Sequence, residues 1–551
     1  MKNNNKFRLD VWGFITLAAI ALYLLFLIYP MAYLIRQSVI DSETGAITMA
    51  NFAKFLSKSY YFDTLFNSFK VSIAATLLSL AIGTPLAYLF SVFKIKGKSI
   101  LNILIIVASM SAPFIGAYSW ILLLGRSGVI TKFFKNIGII IPPVYGFTGI
   151  VLVMTLQLFP LVFLYAKGAL KNIDNSLIEA AENLGCSGFR CFFKVVVPLI
   201  TPTLLAAGLL VFMRSFADFG TPMLIGEGYR TFPVVLYTEF INEVSGNDGF
   251  AAAIAVIAIA VTTVVFLAQK YVANKKSFSL NALHPMEEKT AHKNISWMVY
   301  LFSYLIVGIA VLPQCYVIYT SFKKTEGKIF TSGYSLESYI TAFGKLGKSI
   351  QNTIIIPVLA LIVIVILAVV IAYLVVRRRN TLTNTVDILS MIPYIVPGTV
   401  LGIALLNGFN RKPLLISGTM LIMVIALIIR RLPYTIRSSV AILQQIPISI
   451  EEAAISLGAS KMKAFFRITV PMMSAGILSG AILSWVTMIS ELSTAIILYT
   501  GKTKTLTVAV YTEVVRGNYG TAAALSAILT ALTVVSLLVF NRFNKGKDLS
   551  L

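Results

Sequence analysis

Three ionisable residues lie inside long apolar stretches of the sequence: Arg214, Asp218 and Glu491. A charged side chain at membrane depth is energetically costly, so such residues usually face a polar path or a charged partner. Arg214 and Asp218 are four positions apart and can pair on one helix face, whereas Thr487 stands in the arginine's place near Glu491. We expect a polar path through a membrane here, with three roles open for the carboxylates: exposure to interfacial water, a polar lining or gate, or direct substrate contact.

The sequence offers little for metal or nucleotide chemistry. His284 and His292 both fall in a polar connecting stretch, and the three cysteines lack metal-ligand spacing. The nearest match to a phosphate-binding loop, residues 342–349, lacks the first glycine of that motif. We therefore expect no metal site, no catalytic site and no ATPase site on this chain.

A second set of residues forms a pattern that occurs twice, at positions 273 apart. Glu-Ala-Ala is followed, after three residues, by glycine: Glu179, Ala180, Ala181 and Gly185, then Glu452, Ala453, Ala454 and Gly458. Ser176 and Ser449 precede the glutamates by three positions, which predicts capping boxes. The glycines predict the left-handed residue that ends a helix, and a second amphipathic segment follows. A single copy needs no function beyond a well-capped hairpin, but two copies favour a shared external partner.

The composition identifies the environment of these residues. The chain has 551 residues, of which 58% are hydrophobic and 12% charged, whereas soluble proteins have about 25% charged residues. The net charge of +24 is concentrated in short connecting loops, as expected of segments on the cytoplasmic side of a membrane. The sequence predicts an all-α polytopic membrane protein in a lipid bilayer, with no nucleic-acid partner.

Twelve apolar segments predict transmembrane helices, six on each side of a polar linker. They are 11–35, 67–92, 99–124, 148–166, 199–218, 249–270, 296–320, 352–376, 383–406, 414–433, 472–496 and 517–541. We interpret the first as an uncleaved span, and residues 125–147 as a short re-entrant or external element. The predicted units are a first transmembrane repeat (1–270), a cytoplasmic linker (271–295) and a second repeat (296–551), with both termini cytoplasmic.

The halves are internal repeats in the same orientation. Asn67 and Tyr88 match Asn352 and Tyr373 at a spacing of 285. Because each repeat has six spans, a pseudo-twofold axis along the membrane normal should relate them. A pathway between the halves is the expected consequence.

With its flanking residues, the repeated pattern resembles the signature of permeases of binding-protein-dependent ATP-binding-cassette importers with the type I fold. That signature continues for nine residues to Ile-x-Leu-Pro; valines replace Ile and Leu at Val195 and Val197, and Leu at Val470. The resemblance implies that the two loops are coupling helices, which dock on two copies of a separate ATPase subunit that binds ATP and magnesium. It further implies a periplasmic or lipoprotein substrate-binding protein and a location in the bacterial cytoplasmic (inner) membrane.

The substrate is less clearly indicated. The stretch from Ala217 to Gly226 resembles the ferric iron permeases, and related permeases carry thiamine, 2-aminoethylphosphonate or polyamines. Carboxylate oxygens at Asp218 and Glu491 would suit a hard cation, whereas Arg214 would oppose one. An ion-coupled secondary carrier would also have six plus six spans, but it would not need paired hairpins. A membrane-embedded enzyme is a further alternative, for which the sequence has no candidate catalytic residues.

Overall fold

The fold comes from a computed structural model, which describes residues 11–41, 44–110, 113–186, 188–242, 248–275, 288–290 and 293–543. Nearly all regular structure in these ranges is helical, as predicted. The predicted linker residues His284 and His292 lie outside the described residues.

The first repeat contains helices α1 to α14. Their bounds are α1 Val11–Tyr23, α2 Tyr29–Ser38, α3 Ala50–Ser57, α4 Ser59–Val92, α5 Lys98–Met110, α6 Pro113–Leu124, α7 Val129–Asn136, α8 Gly146–Leu170, α9 Asn175–Asn183, α10 Gly188–Cys191, α11 Val197–Phe216, α12 Gly220–Ile225, α13 Phe232–Asn242 and α14 Asp248–Lys275.

The second repeat contains helices α15 to α26 and one hairpin. The helices are α15 Lys293–Ser321, α16 Glu337–Arg377, α17 Thr381–Ile395, α18 Gly398–Gly408, α19 Met420–Gln445, α20 Ile448–Ser456, α21 Lys461–Ala464, α22 Val470–Met472, α23 Ser474–Ile489, α24 Ala495–Leu498, α25 Leu506–Arg516 and α26 Tyr519–Phe543. Strands β1 Lys323–Glu326 and β2 Ile329–Tyr334 pair antiparallel, with Thr325 opposite Phe330.

In the described part of the chain, π-helical turns occur at Leu24–Ile28, Phe192–Val196 and Phe465–Thr469. The last two are 273 positions apart, and each leads into a helix with a proline in its first turn, Pro198 or Pro471. A proline is tolerated there because the first N–H groups of a helix have no intrahelical acceptor.

Within the described residues, nine helices are long and apolar enough to cross a membrane, or eleven if each bent pair is one span. The predicted span 383–406 is broken by 111° between α17 and α18, where Pro397 disfavours a helical conformation at Val396. A second bend, of 66° between α22 and α23, lies at the start of the predicted span 472–496. Helix α19 is not among the nine because it carries Arg430, Arg431 and Arg437.

The first helices of each repeat reach across to the other repeat. Helix α1 packs against α16 and α17 of the second repeat, and α2 packs against α18 of the second repeat and α14 of the first. Helix α15 packs against α4, α5 and α6 of the first repeat and against α26 of its own. Trp12 makes one such contact, with its ring centroid 4.6 Å from that of Tyr373 and 5.2 Å from that of Phe465. Each repeat therefore completes the other's apolar core.

Candidate functional site

The repeated Glu-Ala-Ala pattern forms two short helices, α9 and α20, each followed by a sharp turn. The predicted capping boxes are wrong. Helix α9 is capped instead by Asp174, whose Oδ1 accepts from the Ser176 N–H at 3.0 Å, so Ser176 lies inside the helix. Helix α20 begins after Pro447 without any side-chain cap. Both helices therefore start earlier than the serine spacing indicates.

The predicted left-handed glycines are confirmed. Gly185 has φ of +81° and Gly458 has φ of +90°. In the first copy the Cys186 N–H donates to the Ala181 carbonyl at 2.9 Å, and in the second the Ala459 N–H donates to the Ala454 carbonyl at 3.0 Å. These bonds satisfy carbonyls at the helix end that would otherwise lack donors. The second alanine of the pattern thus accepts the bond that closes each turn.

The two helices present matching surfaces. Glu179, Ala180 and Gly185 are exposed and Ala181 is half-buried. The second copy shows the same pattern: Glu452, Ala453 and Gly458 are exposed, and Ala454 is half-buried.

A leucine that the pattern analysis did not single out precedes each glycine. Leu184 is 89% exposed and Leu457 is 90% exposed. Single exposed apolar side chains are common on proteins, and Ile140 is as exposed as Leu184. What distinguishes the two leucines is that they stand at equivalent positions of the two repeats, which favours a role that both hairpins share.

The two helices are held to the membrane domain in different ways. In α9 the inward position is Ile178, which is buried in the apolar core. The equivalent position in α20 is Glu451, whose Oε1 accepts from Arg377 Nε at 3.0 Å and whose Oε2 accepts from the Tyr373 hydroxyl at 3.2 Å. Sequence reasoning missed Glu451, although its alignment with Ile178 marks the position as inward-facing.

Helix α9 also contacts the segment that joins the repeats. Lys289 lies 3.5 Å from Glu182, measured from Nζ to the carboxylate. The Lys289 N–H donates to the Val92 carbonyl at 2.7 Å, and its carbonyl accepts from the Lys94 N–H at 3.1 Å. Lys289 therefore connects the end of α4 to the first hairpin.

Asp218 lies at the end of its span farthest from α9. The expected pair with Arg214 does not form, because α11 ends at Phe216 and the chain leaves the helical path before Asp218. Instead the Asp218 carboxylate accepts from the N–H groups of Gly220 at 3.3 Å and Thr221 at 3.2 Å. It therefore caps the short helix that follows.

Glu491 occupies the equivalent place in the second repeat and is buried. It accepts from the Thr494 N–H at 3.1 Å, from Arg430 at 2.9 Å and also from Arg431. Both arginines come from α19. No sequence pattern pointed to them, because they lie 61 and 60 positions away.

The two repeats meet at the level of these carboxylates. Phe219 and Leu492, which follow Asp218 and Glu491, are both buried. A Cβ placed on Gly220 would lie 3.3 Å from a Leu492 methyl group. The Phe219 ring contacts Tyr237 and Tyr511 at centroid distances of 4.5 and 6.0 Å. The two repeats are therefore in direct contact at this level.

The described residues hold no group of three or more His, Cys, Asp or Glu side chains that could bind a metal ion. The stretch compared with a phosphate-binding loop, residues 342–349, lies inside helix α16. Its backbone N–H groups are used by the helix, so they form no cradle for phosphate.

A family model described as the binding-protein-dependent transport system inner membrane component matches residues 71–278 and 364–548, well over half of the chain. The ferric transport system permease protein FbpB of Actinobacillus pleuropneumoniae is 27% identical over 543 residues, which cover 95% of this chain and 77% of that protein.

Two further relatives differ in how much of the chain they match. The Fe(3+)-transport system permease protein FbpB 2 of Haemophilus influenzae is 24% identical, covering 93% of this chain and 95% of that protein. The spermidine/putrescine transport system permease protein PotB of the same species is 28% identical, covering 49% of this chain and 96% of that protein. One repeat of this chain thus corresponds in length to a whole PotB protein.

Proposed function

The chain belongs to the family of binding-protein-dependent transport system inner membrane components, and from this we propose that it is the membrane-spanning subunit of an ATP-driven importer of ferric iron. The two FbpB relatives described above match nearly the whole chain and are named as ferric iron permeases, which supports iron as the cargo. The polyamine relative matches only half of the chain.

In the proposed mechanism, the paired helices α9 and α20 are the contacts with the ATPase subunits. Each would dock in a cleft of one copy of a separate ATPase subunit, giving two ATPases that bind ATP and magnesium. Glu179, Ala180, Ala181 and Gly185 would form the first docking surface, and Glu452, Ala453, Ala454 and Gly458 the second. The observation that supports this role is the matching exposure of two hairpins in equivalent loops, each with a protruding leucine.

Transport would follow from movement of these helices. When the ATPases close on ATP, α9 and α20 approach each other, and their anchors to the spans rotate the two repeats. The contact at Phe219 and Leu492 would then open to a substrate-binding protein, either periplasmic or a lipoprotein. In this proposal the chain lies in the bacterial inner membrane, with both hairpins and both termini in the cytoplasm.

The test is uptake of radioactive ferric iron into proteoliposomes that contain this chain, its ATPase and its binding protein. We expect uptake that requires ATP and the binding protein, and that stops when the ATPase is omitted. Uptake driven by a proton gradient without the ATPase would contradict the proposal and identify a secondary carrier.

A further inference from the structure

A buried ion network lies directly behind the contact between the two repeats. The Glu491 carboxylate accepts from Arg430 at 2.9 Å and also from Arg431. The exposed fractions of the three side chains are only 4% for Glu491, 16% for Arg430 and 11% for Arg431. The next residue, Leu492, is the one that meets Gly220 of the first repeat. The network therefore holds the residue that immediately precedes the contact.

The other hydrogen bonds of the two arginines hold the same turn of the chain. Arg430 also donates to the Thr494 hydroxyl at 2.6 Å, and Arg431 donates to the Thr487 carbonyl at 3.1 Å. Thr487 lies in the last turn of α23 and Thr494 directly precedes α24. Arginine presents several donors in a fixed geometry, and its charge strengthens each bond. The turn between α23 and α24 is thus bound to α19 at both of its ends.

Glu491 also joins this turn to α25. Its carbonyl accepts from the Thr507 hydroxyl at 2.8 Å. Tyr511, one helical turn further along α25, contacts Phe219 of the first repeat. Glu491 therefore connects both elements of the second repeat that touch the first repeat here.

The fold leaves a specific space for the Arg430 side chain. Gly398 is the first residue of α18, directly after the 111° break from α17. A Cβ on Gly398 would lie 1.5 Å from an Arg430 nitrogen, so any side chain at this position would displace the guanidinium. The position of Arg430 therefore depends on the break as well as on its acceptors.

Helix α19 connects the network to the second of the proposed docking helices. It is continuous from Met420 to Gln445, although it contains Pro433, and α20 begins at Ile448. At about 1.5 Å of rise per residue, it extends about 21 Å from Arg431 to its end. One uninterrupted helix thus joins the docking surface to the network.

The first repeat has different residues at the equivalent positions. Gln157 and Leu158 stand 273 positions before Arg430 and Arg431, on α8, the helix that leads to α9. The Asp218 carboxylate, which is equivalent to Glu491, accepts from backbone N–H groups of its own turn. In the described part of the chain, α8 therefore has no ionic link to the turn that carries Asp218.

We propose that Arg430 and Arg431 are positioning residues for transport. Through Glu491 they fix the turn that carries Leu492 to α19, so that movement of α20 opens and closes the contact between the repeats. This inference rests on the proposed function and makes the two docking helices unequal. Movement of α20 is transmitted to the contact through the ionic link, whereas α9 has no such link.

The experiment gives the second repeat the residues of the first. The triple variant Arg430→Gln, Arg431→Leu and Glu491→Asp reproduces a combination with which the first repeat already folds. The complete transporter is placed in proteoliposomes, and ATP hydrolysis and uptake of radioactive iron are measured on the same sample. We expect normal assembly and ATP hydrolysis, with the iron transported per ATP lowered about tenfold, as expected for loss of one hydrogen bond to a charged group. A role in folding alone would lower the yield of complex and leave this ratio unchanged.

A single substitution tests the same link with all charges in place. Thr494→Val removes the hydroxyl that accepts from Arg430, and the iron transported per ATP should fall about two- to tenfold. Thr512→Val is the control, because the Thr512 hydroxyl donates to the Ala509 carbonyl of its own helix. The control should keep the wild-type ratio.

Amide hydrogen exchange provides an independent measurement. In the triple variant we expect faster exchange in residues 490–494 and unchanged exchange in residues 217–221, the equivalent turn of the first repeat. Unchanged exchange in residues 490–494 would show that the arginines do not hold the turn, and would overturn the inference.

A wild-type ratio of iron to ATP in the assembled triple variant overturns the inference and leaves the proposed function standing. If the triple variant does not assemble, a wild-type ratio in Thr494→Val has the same consequence. Absence of ATP-dependent iron uptake by the unmodified complex overturns the proposed function, and the inference with it.

Discussion

At the residue scale, Leu184 and Leu457 are the residues that would distinguish a docking hairpin from a hairpin with no partner. A solvated hairpin gains nothing from a leucine that is 89% or 90% exposed at its tip. Burying such a side chain in a partner's pocket contributes about 1.5–3 kcal/mol. These two side chains are therefore expected to supply much of the affinity for the ATPase.

The corresponding variant is Leu184→Asp combined with Leu457→Asp. Because each site loses about 1.5–3 kcal/mol of apolar burial, we expect affinity for the ATPase to fall at least tenfold. Co-purification of the ATPase with the tagged chain measures this. Ile329→Asp, an exposed aliphatic position in the β-hairpin, is the matched control. Undiminished ATPase recovery with the double variant would show that the leucines do not dock.

Local chemistry decided which single residues could be predicted. The left-handed conformation of Gly185 and Gly458 follows from a rule about the last turn of a helix, so the spacing alone indicated it. The partners of Glu491 follow from how α19 packs against α23, and no local pattern encodes that contact. The pairing of Arg214 with Asp218 was predicted wrongly, because a spacing of four brings two residues together only within a helix. Helix α11 ends at Phe216, before Asp218.

At the element scale, the two hairpins are anchored to the membrane-spanning helices by different kinds of interaction. Helix α9 is held by an apolar side chain, Ile178, and α20 by a largely buried ion pair between Arg377 and Glu451. Removing one partner of a buried pair costs about 3–5 kcal/mol, because the other charge is left uncompensated. An apolar pair of similar volume is often tolerated.

Glu451→Ala should therefore loosen α20 and leave α9 unaffected. We expect faster amide hydrogen exchange in residues 448–456 and unchanged exchange in residues 175–183. The combined change Arg377→Leu and Glu451→Leu should restore slow exchange in α20, since it recreates an apolar anchor like that of α9. Equal acceleration in both hairpins would contradict separate anchoring.

Element boundaries were predictable where composition changes sharply and less so inside apolar runs. The predicted span 148–166 lies within α8, because polar residues flank it. The 111° break between α17 and α18 was missed, since Pro397 lies in a continuous apolar run. The capping boxes failed because Asp174 and Pro447 start their helices before the serines can do so.

At the scale of the whole molecule, the first helices of each repeat join the two repeats by packing across their boundary. Helix α1 packs on the second repeat, and α2 and α15 each pack on both repeats. Hydropathy located these spans but carries no information about their neighbours. The sequence therefore predicted two repeats without predicting that each completes the other.

Cutting the linker should consequently leave the repeats associated. A protease site inserted after Ala282 lies among linker residues outside the described ranges. After cleavage we expect two fragments on a denaturing gel that still elute together from a size-exclusion column in mild detergent. Separate elution of the fragments would show that the first helices of each repeat do not hold the repeats together.

The π turns at Phe192–Val196 and Phe465–Thr469 indicate how the two repeats are related by evolution. Such a turn accommodates one residue more than the α-helix around it, and both copies hold that residue at the same point before the fifth and eleventh spans. The simplest lineage is an ancestral gene of about half this length that acquired the extra residue before it doubled and fused. Relatives encoded as separate half-length subunits should then carry one such turn each.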